Sequence, residues 1–280
     1  MATSSTVAGA DPRTRLAARR PSLGEQVVGV LRRIVPPLVI IVAVLAAWEA
    51  AGRWGGLADY VLPTPTRIFT AFITNIPLFA RHVPITAFEA ALGFVIGNTA
   101  AILLAIAFVH STTVERGVYP MAVALRSVPF VALAPILVIW LGNGLAPKVV
   151  IAAMVSFFPT LVNMVRGLRS IDPEALELMQ TLSATRWQVL WKLRWPSAMP
   201  FLFSALKISA AATVLGAVVA EWIGSDLGLG YVVVMTTYEF RIPLLWASIA
   251  VTSTMAMLLF GLVILAEHLW SYDSSGDTGG

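Results

Sequence analysis

The sequence predicts an all-α integral membrane protein with six transmembrane helices and a cytosolic helix–turn–helix loop between spans 4 and 5. Two observations carry this prediction. Of the 280 residues, 58% are hydrophobic and only 12% are charged, whereas a soluble domain carries about 25% charged residues. Apolar stretches also recur at the length of a bilayer-crossing helix, and at this hydrophobicity only a helix satisfies the backbone polar groups within hydrocarbon.

Six apolar stretches are expected to cross the bilayer. They are residues 34–51, 87–109, 118–141, 145–164, 201–223 and 244–266. Pro36 and Pro37 are expected in the first turn of span 1, where a missing backbone N–H costs little. Pro129 and Pro135 lie inside span 3, and Pro159 lies inside span 4. We expect kinks at these three prolines, since each removes a helical hydrogen bond.

The remaining segments divide the chain into domains. Residues 1–33 are polar and arginine-rich and are expected to form a cytosolic tail rather than a signal peptide. Residues 34–270 form the six-span domain, and within it residues 166–200 form the long cytosolic loop. Residues 271–280 are rich in Ser, Gly and Asp and are expected to be disordered. The outer segment 52–86 contains Leu-Pro-Thr-Pro at 62–65, after which a short interfacial helix is expected.

Lysine and arginine predict the orientation of the spans. With the N-terminus inside, 14 of these residues fall in inner segments and 5 in outer ones, which is a positive-inside bias. The outer five are Arg53, Arg67, Arg81, Lys148 and Arg241. We therefore expect a multi-pass membrane protein with both termini in the cytosol.

Residue types that carry catalysis or hold cofactors are missing or badly placed. The chain has no cysteine, and no lysine follows a phosphate-binding Gly-rich loop. His82, His110 and His268 lack metal-ligand spacing, so each is expected to be a loop or interface residue. No nucleophile elbow is present. We expect no enzyme activity, no metal and no cofactor, and we expect the basic tail to contact lipid headgroups rather than nucleic acid.

The cytosolic loop is predicted to contain two short helices. Asp172 is expected to cap the first, which should end near Ser183. Thr185 starts the second, because Thr185 and Gln188 have the spacing of a capping box, and this helix is expected to stop before Pro196. The segment either lies as an amphipathic pair on the membrane surface or forms a docking surface for a cytosolic partner.

The spacing of this loop resembles the loop motif of bacterial binding-protein-dependent ABC importer permeases. That motif runs Glu-Ala-Ala, three residues, Gly, nine residues, then Ile, any residue, Leu and Pro. Glu177 and Pro196 match it, and Leu193 matches in kind. Ser183 stands at the glycine position, where a left-handed residue commonly ends a helix, so we expect a positive φ there. The other departures are Leu178 and Met179 at the alanine positions and Trp195 at the leucine position.

Four further blocks resemble the branch of this family that serves nitrate, sulfonates, taurine, riboflavin and thiamine-precursor pyrimidines. The first is 62–65. The second, 126–142, runs from Arg-Ser-Val-Pro to Trp-Leu-Gly, and the third, 157–174, runs from Phe-Phe-Pro to Asp-Pro-Glu. The last, 216–231, begins Gly-Ala-Val-Val-Ala-Glu-Trp-Ile-Gly and ends Gly-Leu-Gly-Tyr. The blocks occur in order from about residue 60 to span 6.

The resemblance implies the permease subunit of an ATP-driven importer that hydrolyses no ATP itself. It implies a homodimer in the bacterial cytoplasmic membrane, with the translocation path between the two copies. It also implies a cytosolic ATPase dimer below and an extracytoplasmic substrate-binding protein above. The residues expected to couple to the ATPase are Glu174, Glu177, Leu178, Met179, Ser183, Ala184, Thr185, Arg186, Trp187 and Pro196.

Polar or helix-breaking residues at membrane depth are candidates for the pathway or its gate. They are Asn98, Pro129, Pro135, Asn163, Glu221 and Trp222. For Asn98 and Asn163, an interhelical hydrogen bond is the alternative role and is favoured. For Glu221, the alternative is a structural role as acceptor for backbone N–H groups of the glycine-rich turn that follows, and this role is favoured.

Two other classes of protein stand as alternatives. A membrane enzyme acting on a lipid or an isoprenoid would need clustered acids or histidines at an interface. An ion-coupled secondary transporter would need charges near the midplane and an inverted repeat. Among importer substrates, the combination Glu177-Leu178-Met179 and the block 216–224 favour riboflavin or a thiamine-precursor pyrimidine over taurine.

Overall fold

The computed structural model describes residues 23–56 and 60–276, and every regular element among them is a helix. The chain divides into two compact units, Met1–Leu57 and Ala58–Gly280. The helices are α1 (Leu23–Trp54), α2 (Pro65–Thr74), α3 (Ile76–His110), α4 (Thr112–Arg126), α5 (Phe130–Leu141), α6 (Leu145–Arg169), α7 (Pro173–Thr181), α8 (Arg186–Val189), α9 (Trp195–Glu221), α10 (Leu229–Tyr238) and α11 (Ile242–Gly276). A π-helical turn, Leu190–Arg194, joins α8 to α9. The all-helical class predicted from the sequence is confirmed.

Five segments among the described residues are long and apolar enough to cross a membrane. They are Val35–Trp54, Ile76–His110, Leu145–Arg169, Arg186–Glu221 and Ile242–Trp270. Each overlaps one predicted span, namely spans 1, 2, 4, 5 and 6. Continuous apolar stretches of the sequence therefore predicted the positions of five helices correctly. Most of these helices extend beyond the predicted bounds.

The third predicted span, 118–141, is not one continuous helix. It is divided between the end of α4 and the whole of α5, and each of these helices is shorter than a bilayer crossing. Pro129 separates them with extended backbone angles (φ −68°, ψ 106°) and precedes the first residue of α5. Proline lacks an N–H and disfavours helical geometry in the residue before it, so the expected kink is a complete break. Pro135 and Pro159 remain inside their helices.

Helices α1 and α11 are both longer than predicted. In the first unit, α1 begins at Leu23, so residues 23–33 of the predicted tail are helical, and Pro36 and Pro37 lie inside the helix rather than in its first turn. In the second unit, α11 continues to Gly276, so residues 271–276 of the predicted disordered tail are helical. The other parts of the two predicted tails, 1–22 and 277–280, lie outside the described residues.

The outer segment contains the expected short helix and, unexpectedly, the first turns of α3. Thr64 caps α2, because its hydroxyl accepts the N–H of Arg67 (3.4 Å). Asn75 separates α2 from α3, and its side-chain amide donates to the carbonyl of Ala71 (2.8 Å). Residues 76–86, predicted as loop, are therefore helical. This extension places three polar side chains of α3 next to other helices, as described below.

Helices α3, α6 and α9 form the centre of the second unit, and fully buried residues such as Leu161 lie between them. Gly93 and Gly97 of α3 face α6. A Cβ atom at Gly93 would collide with Ala152, and one at Gly97 would collide with Ser156. Two small residues four positions apart allow helix backbones to approach closely in a membrane. The backbones of α3 and α6 therefore lie close together at Gly93 and Gly97.

Candidate functional site

The loop between α6 and α9 contains two short helices, α7 and α8, with a turn at Ser183 between them. The Asp172 carboxylate accepts the N–H of Glu174 (3.0 Å) at the start of α7. At its end, Ser183 has φ +54°, and the N–H of Ala184 donates to the carbonyl of Met179 (3.0 Å). This hydrogen bond is the signature of a Schellman turn. The positive φ predicted for Ser183 is confirmed.

The second helix of the loop begins as predicted but does not end as predicted. Thr185 and Gln188 form a capping box, in which the Gln188 side chain accepts the N–H of Thr185 (2.7 Å). The expected stop before Pro196 is wrong, because α8 continues through the π turn into α9. In that turn the N–H of Trp195 donates to the carbonyl of Leu190, five residues earlier. The wider turn directly precedes Pro196, which is the second residue of α9.

Three contacts attach the loop to the bundle. Leu190 is completely buried in the core between α6 and α9. The Arg194 guanidinium donates to the carbonyl of Leu168 near the end of α6 (2.7 Å). The Trp187 and His110 rings lie 5.1 Å apart, which joins α8 to the end of α3. These contacts join the loop to α3, α6 and α9.

The outward side of the loop combines acidic and large apolar side chains. Glu177, Leu178, Leu182 and Trp187 are all exposed; we call these four residues the docking surface. Glu174, Thr185, Arg186, Ser183 and Pro196 are also exposed, whereas Met179 and Ala184 are partly buried. Large exposed apolar side chains beside charged ones are typical of a surface that a protein partner covers. Nine of the ten predicted coupling residues lie in this loop, and the tenth, Pro196, is the second residue of α9.

A buried polar network lies at the other end of the bundle. Lys148 and Arg169 are about 30 Å apart along α6, given the rise of a helix, and this distance equals the hydrocarbon thickness of a bilayer. Near Lys148, Glu221 at the end of α9 accepts the Thr86 hydroxyl (2.6 Å) and the backbone N–H of Gly230 (2.5 Å). The role of Glu221 as an acceptor for the glycine-rich turn, favoured from the sequence, matches this geometry.

The glycine-rich turn is built around the Glu221 carboxylate. A Cβ atom at Gly228, which has φ +103°, would collide with that carboxylate. The N–H of Gly228 donates to Nδ1 of His82 (3.0 Å), and the N–H of Leu229 donates to the Thr86 hydroxyl (2.7 Å). The turn and the start of α10 are thus held by side chains of α3. His82 was expected to be a loop or interface residue, and it is a buried residue of α3 at the interface with this turn.

Glu89 and Lys148, two charged members of this network, were not identified as site residues from the sequence. Glu89 and Lys148 form an ion pair between α3 and α6 (3.2 Å), and Lys148 also donates to the Ser225 hydroxyl (2.7 Å). Glu89 lies inside predicted span 2 and Lys148 inside predicted span 4. An ionisable residue inside an apolar span is a functional candidate by default, so this signal was present in the sequence.

The other pathway candidates are scattered. Asn98 is buried and joins α3 to α6, because its side-chain oxygen accepts the Thr160 hydroxyl, and Thr160 in turn contacts Ser209 of α9 (3.1 Å). The Asn163 amide donates within its own helix, to Pro159 (2.8 Å). Pro129, Pro135 and Trp222 are exposed; the two prolines lie at the start of α5 and inside it, and Trp222 lies at the end of α9. The six candidates therefore do not form one site.

An apolar cavity of about 370 Å³ lies between α3, α4, α5 and α6. Its lining is almost entirely hydrocarbon and includes the aromatic rings of Phe130, Phe157 and Phe158. Gly97 and Ala153 also line it, so the space exists partly because small residues face it. Among the described residues, no group of three His, Cys, Asp or Glu side chains is placed to bind a metal ion.

Comparison with known proteins agrees with this architecture. The family model of the binding-protein-dependent transport system inner membrane component matches residues 97–270. The chain is 33% identical to the formylaminopyrimidine transport permease protein ThiX of Halalkalibacterium halodurans, over 83% of this chain and 93% of that protein. It is 31% identical to the riboflavin transport system permease protein RibX of Chloroflexus aurantiacus, over 82% of this chain and 87% of that protein. These relatives confirm the resemblance found in the sequence motifs.

A solved structure with the same fold comes from the inward-facing conformations of the MetNI methionine ABC transporter. The two chains share a TM-score of 0.57 at 20% identity, over 69% of this chain and 94% of that one. The family match and the five apolar helices make this chain a multi-pass protein of the inner membrane. The chain belongs to the family of binding-protein-dependent transport system inner membrane components.

Proposed function

We propose that this chain is the permease subunit of an ABC importer, and that a separate cytosolic subunit hydrolyses the ATP. The docking surface carries this proposal. It combines an acidic residue, Glu177, with three exposed apolar side chains on a loop of defined geometry. A loop held by Leu190, Arg194 and Trp187 is suited to pass on movement of an attached ATPase, because it cannot shift without moving α3, α6 and α9.

The proposal includes a sixth membrane crossing made of α4 and α5 in series. Arg169 at the end of α6 pairs with Glu115 at the start of α4 (2.5 Å), which places the start of α4 at the loop end of the bundle. The start of α6, which directly follows α5, lies at the opposite end beside Ser225. Helices α4 and α5 therefore connect the two ends. Six crossings put both termini on the cytosolic side, in agreement with the charge bias.

In the working importer we infer two copies of this chain with the path between them. Two ATPase subunits bind the docking surfaces, and an extracytoplasmic binding protein delivers the solute. Closure of the ATPase pair on ATP draws the two loops together and opens the path outward, and hydrolysis returns it to the inward-facing state. Rigid-body movement of this kind requires helices that move as a unit, and the close packing at Gly93 and Gly97 supports it.

For the solute, we propose a small aromatic heterocycle of the pyrimidine or flavin kind. The apolar cavity and its three phenylalanine rings support this class, because planar heterocycles stack favourably on aromatic side chains. A sulfonate, taurine or nitrate would need a cationic or hydrogen-bonding partner, and the lining of this cavity is almost entirely hydrocarbon. ThiX and RibX, named for a formylaminopyrimidine and for riboflavin, agree with this choice.

Reconstituted transport tests the proposal. The chain is placed in liposomes with its partner ATPase and binding protein, and ATP-dependent uptake of labelled pyrimidine, riboflavin and taurine is measured. Glu177→Lys reverses the charge of the docking surface, and we expect it to weaken ATPase binding roughly tenfold or more, as loss of a central interface residue does. Glu239→Lys makes the same charge change at an exposed position outside the loop and should leave ATPase binding unchanged.

The outcomes separate the parts of the proposal. Normal ATPase binding by Glu177→Lys, with normal membrane insertion, would refute the docking assignment. Uptake of taurine in preference to the two heterocycles would refute the solute class and leave the docking assignment intact. The absence of any ATPase binding by the unaltered chain would refute the importer itself.

A further inference from the structure

Three charged side chains are buried together at the end of the bundle opposite the docking surface. Glu89 of α3 is 2% exposed, Lys148 of α6 is 8% exposed and Glu221 of α9 is 1% exposed. We call these three residues the buried carboxylate cluster. Two ionised carboxylates and one ammonium group would carry a net negative charge, and an uncompensated buried charge is strongly unfavourable.

The hydrogen bonds of this cluster leave one oxygen atom without a partner. Both oxygens of Glu221 accept hydrogen bonds, from Thr86 and from the N–H of Gly230. One oxygen of Glu89, Oε1, pairs with Lys148 (3.2 Å). The other, Oε2, is fully buried and has no hydrogen-bond partner among the described residues. A buried polar atom in this state requires an explanation.

The residues around Glu89 Oε2 explain why this oxygen has no partner. Thr86 and Glu89 lie one helical turn apart on α3, and the Thr86 hydroxyl donates to Glu221 (2.6 Å), so the carboxyl groups of Glu89 and Glu221 lie next to each other. Ionised carboxylates only accept hydrogen bonds, so two of them cannot bond to each other, whereas a protonated carboxyl group donates. One proton between the two groups therefore gives Glu89 Oε2 a partner and also cancels the surplus charge.

Other groups around the cluster do not supply the missing positive charge. Nδ1 of His82 accepts the N–H of Gly228, so this nitrogen carries no proton and the imidazole is neutral. The Tyr231 ring of α10 stacks on His82 (5.7 Å), and a phenol cannot carry a positive charge. Arg81 and Asp226, which lie nearby in sequence, have exposed side chains. A metal ion is also disfavoured, because no group of three suitable ligands occurs among the described residues.

We propose that Glu89 and Glu221 form a proton-binding site that holds a single proton in the folded protein at neutral pH. The proton joins α3 to α9 and, through Thr86 and Gly230, fixes the glycine-rich turn and the start of α10. Removal of the proton leaves two adjacent buried carboxylates that repel each other, which loosens this end of the bundle. The proposal concerns the folded chain and holds whatever solute is transported.

Infrared spectroscopy of the purified chain in lipid nanodiscs tests the proposal. A protonated carboxyl group gives a carbonyl stretching band that ionised carboxylates lack, and the band shifts in D2O. We expect this band at neutral pH in the unaltered chain and its loss in Glu89→Gln, because the glutamine amide replaces the proton as donor to Glu221. The matched control is Glu267→Gln, which alters a partly exposed acid paired with Lys207 and should retain the band.

A second variant and a second measurement complete the test. Lys148→Met removes the only cation of the cluster, so both carboxyl groups must be protonated and the band should about double. Should Lys148→Met fail to fold, thermal unfolding of the unaltered chain and of Glu89→Gln decides. The melting temperature of the unaltered chain should fall as the pH is raised above neutral, and the melting temperature of Glu89→Gln should fall less. A missing band in the unaltered chain, or equal pH dependence of the two proteins, would overturn the proposal.

Discussion

The guanidinium of Arg194 donates a hydrogen bond to the carbonyl oxygen of Leu168 (2.7 Å). Leu168 lies in the last turn of α6, where backbone carbonyls have no partner within the helix. Arg194 lies in the π turn that joins the docking loop to α9. One side chain therefore connects the end of one long helix to the start of the next, and it closes the base of the docking loop.

Removing this donor should loosen the loop. Arg194→Met keeps much of the apolar stem but leaves the Leu168 carbonyl without its partner, which costs about 1–3 kcal/mol. We expect a lower melting temperature in detergent and faster proteolysis within residues 170–190. Lys192→Met, an exposed position in the same π turn, is the control and should change neither measurement. Equal behaviour of the two variants would show that the Arg194 hydrogen bond does not stabilise the loop.

Replacing Ser183 by glycine should stabilise the loop. A non-glycine residue in the left-handed conformation costs about 1–2 kcal/mol, so Ser183→Gly should raise the free energy of unfolding by about 1 kcal/mol. Thr181→Gly, in the last turn of α7, is the control and should lower stability by about 1 kcal/mol, since glycine is a poor helix former. Chemical or thermal unfolding distinguishes the two. Destabilisation by Ser183→Gly would contradict the Schellman turn.

Cysteine labelling checks the orientation of the bundle. The chain contains no cysteine, so single substitutions give a clean background. Ser183→Cys should react with a membrane-impermeant thiol reagent only when the cytosolic side is accessible. Asp226→Cys, in the exposed part of the glycine-rich turn, should react in intact cells. Labelling of Ser183→Cys in intact cells would invert the proposed topology.

Enlarging Gly97 should disrupt the contact between α3 and α6. A side chain there would collide with Ser156 and with the backbone of Ala153, and overpacking of this kind costs about 1–3 kcal/mol. We expect Gly97→Val to lower the melting temperature and the yield of folded protein. The control is Gly261→Val on α11, because open space surrounds that position. Comparable stability of the two variants would mean that α3 and α6 do not pack closely at Gly97.

Predictions from the sequence were most accurate where a feature depends on a few neighbouring residues. The cap at Asp172, the capping box at Thr185 and the positive φ of Ser183 each involve atoms within about one turn of helix. In each case the residue type itself favours the local backbone conformation, so the conformation can be predicted from the residues of that turn. The short helix after Pro65 was predicted for the same reason.

Predictions failed where a local rule competes with its surroundings. Pro129 and Pro135 were expected to kink span 3. The second helix of the loop was expected to stop before Pro196. Pro129 instead breaks the helix completely, and Pro196 is accommodated because a π turn precedes it. Both prolines lack an N–H, and the difference lies in the backbone that precedes each one. Sequence near a proline does not determine which outcome occurs.

The sequence by itself determined the helical class, five apolar helices and the caps of α7 and α8, because hydrophobicity, span length and capping are properties of contiguous residues. Only the tertiary structure decided which buried polar groups meet. Thr86 and Glu221, which are 135 residues apart, share a hydrogen bond, and Glu89 of α3 pairs with Lys148 of α6 (3.2 Å). The pattern along a helix indicates which face is polar, but the partner on a different helix depends on how the helices pack. That packing depends on close approach at small residues such as Gly93 and Gly97.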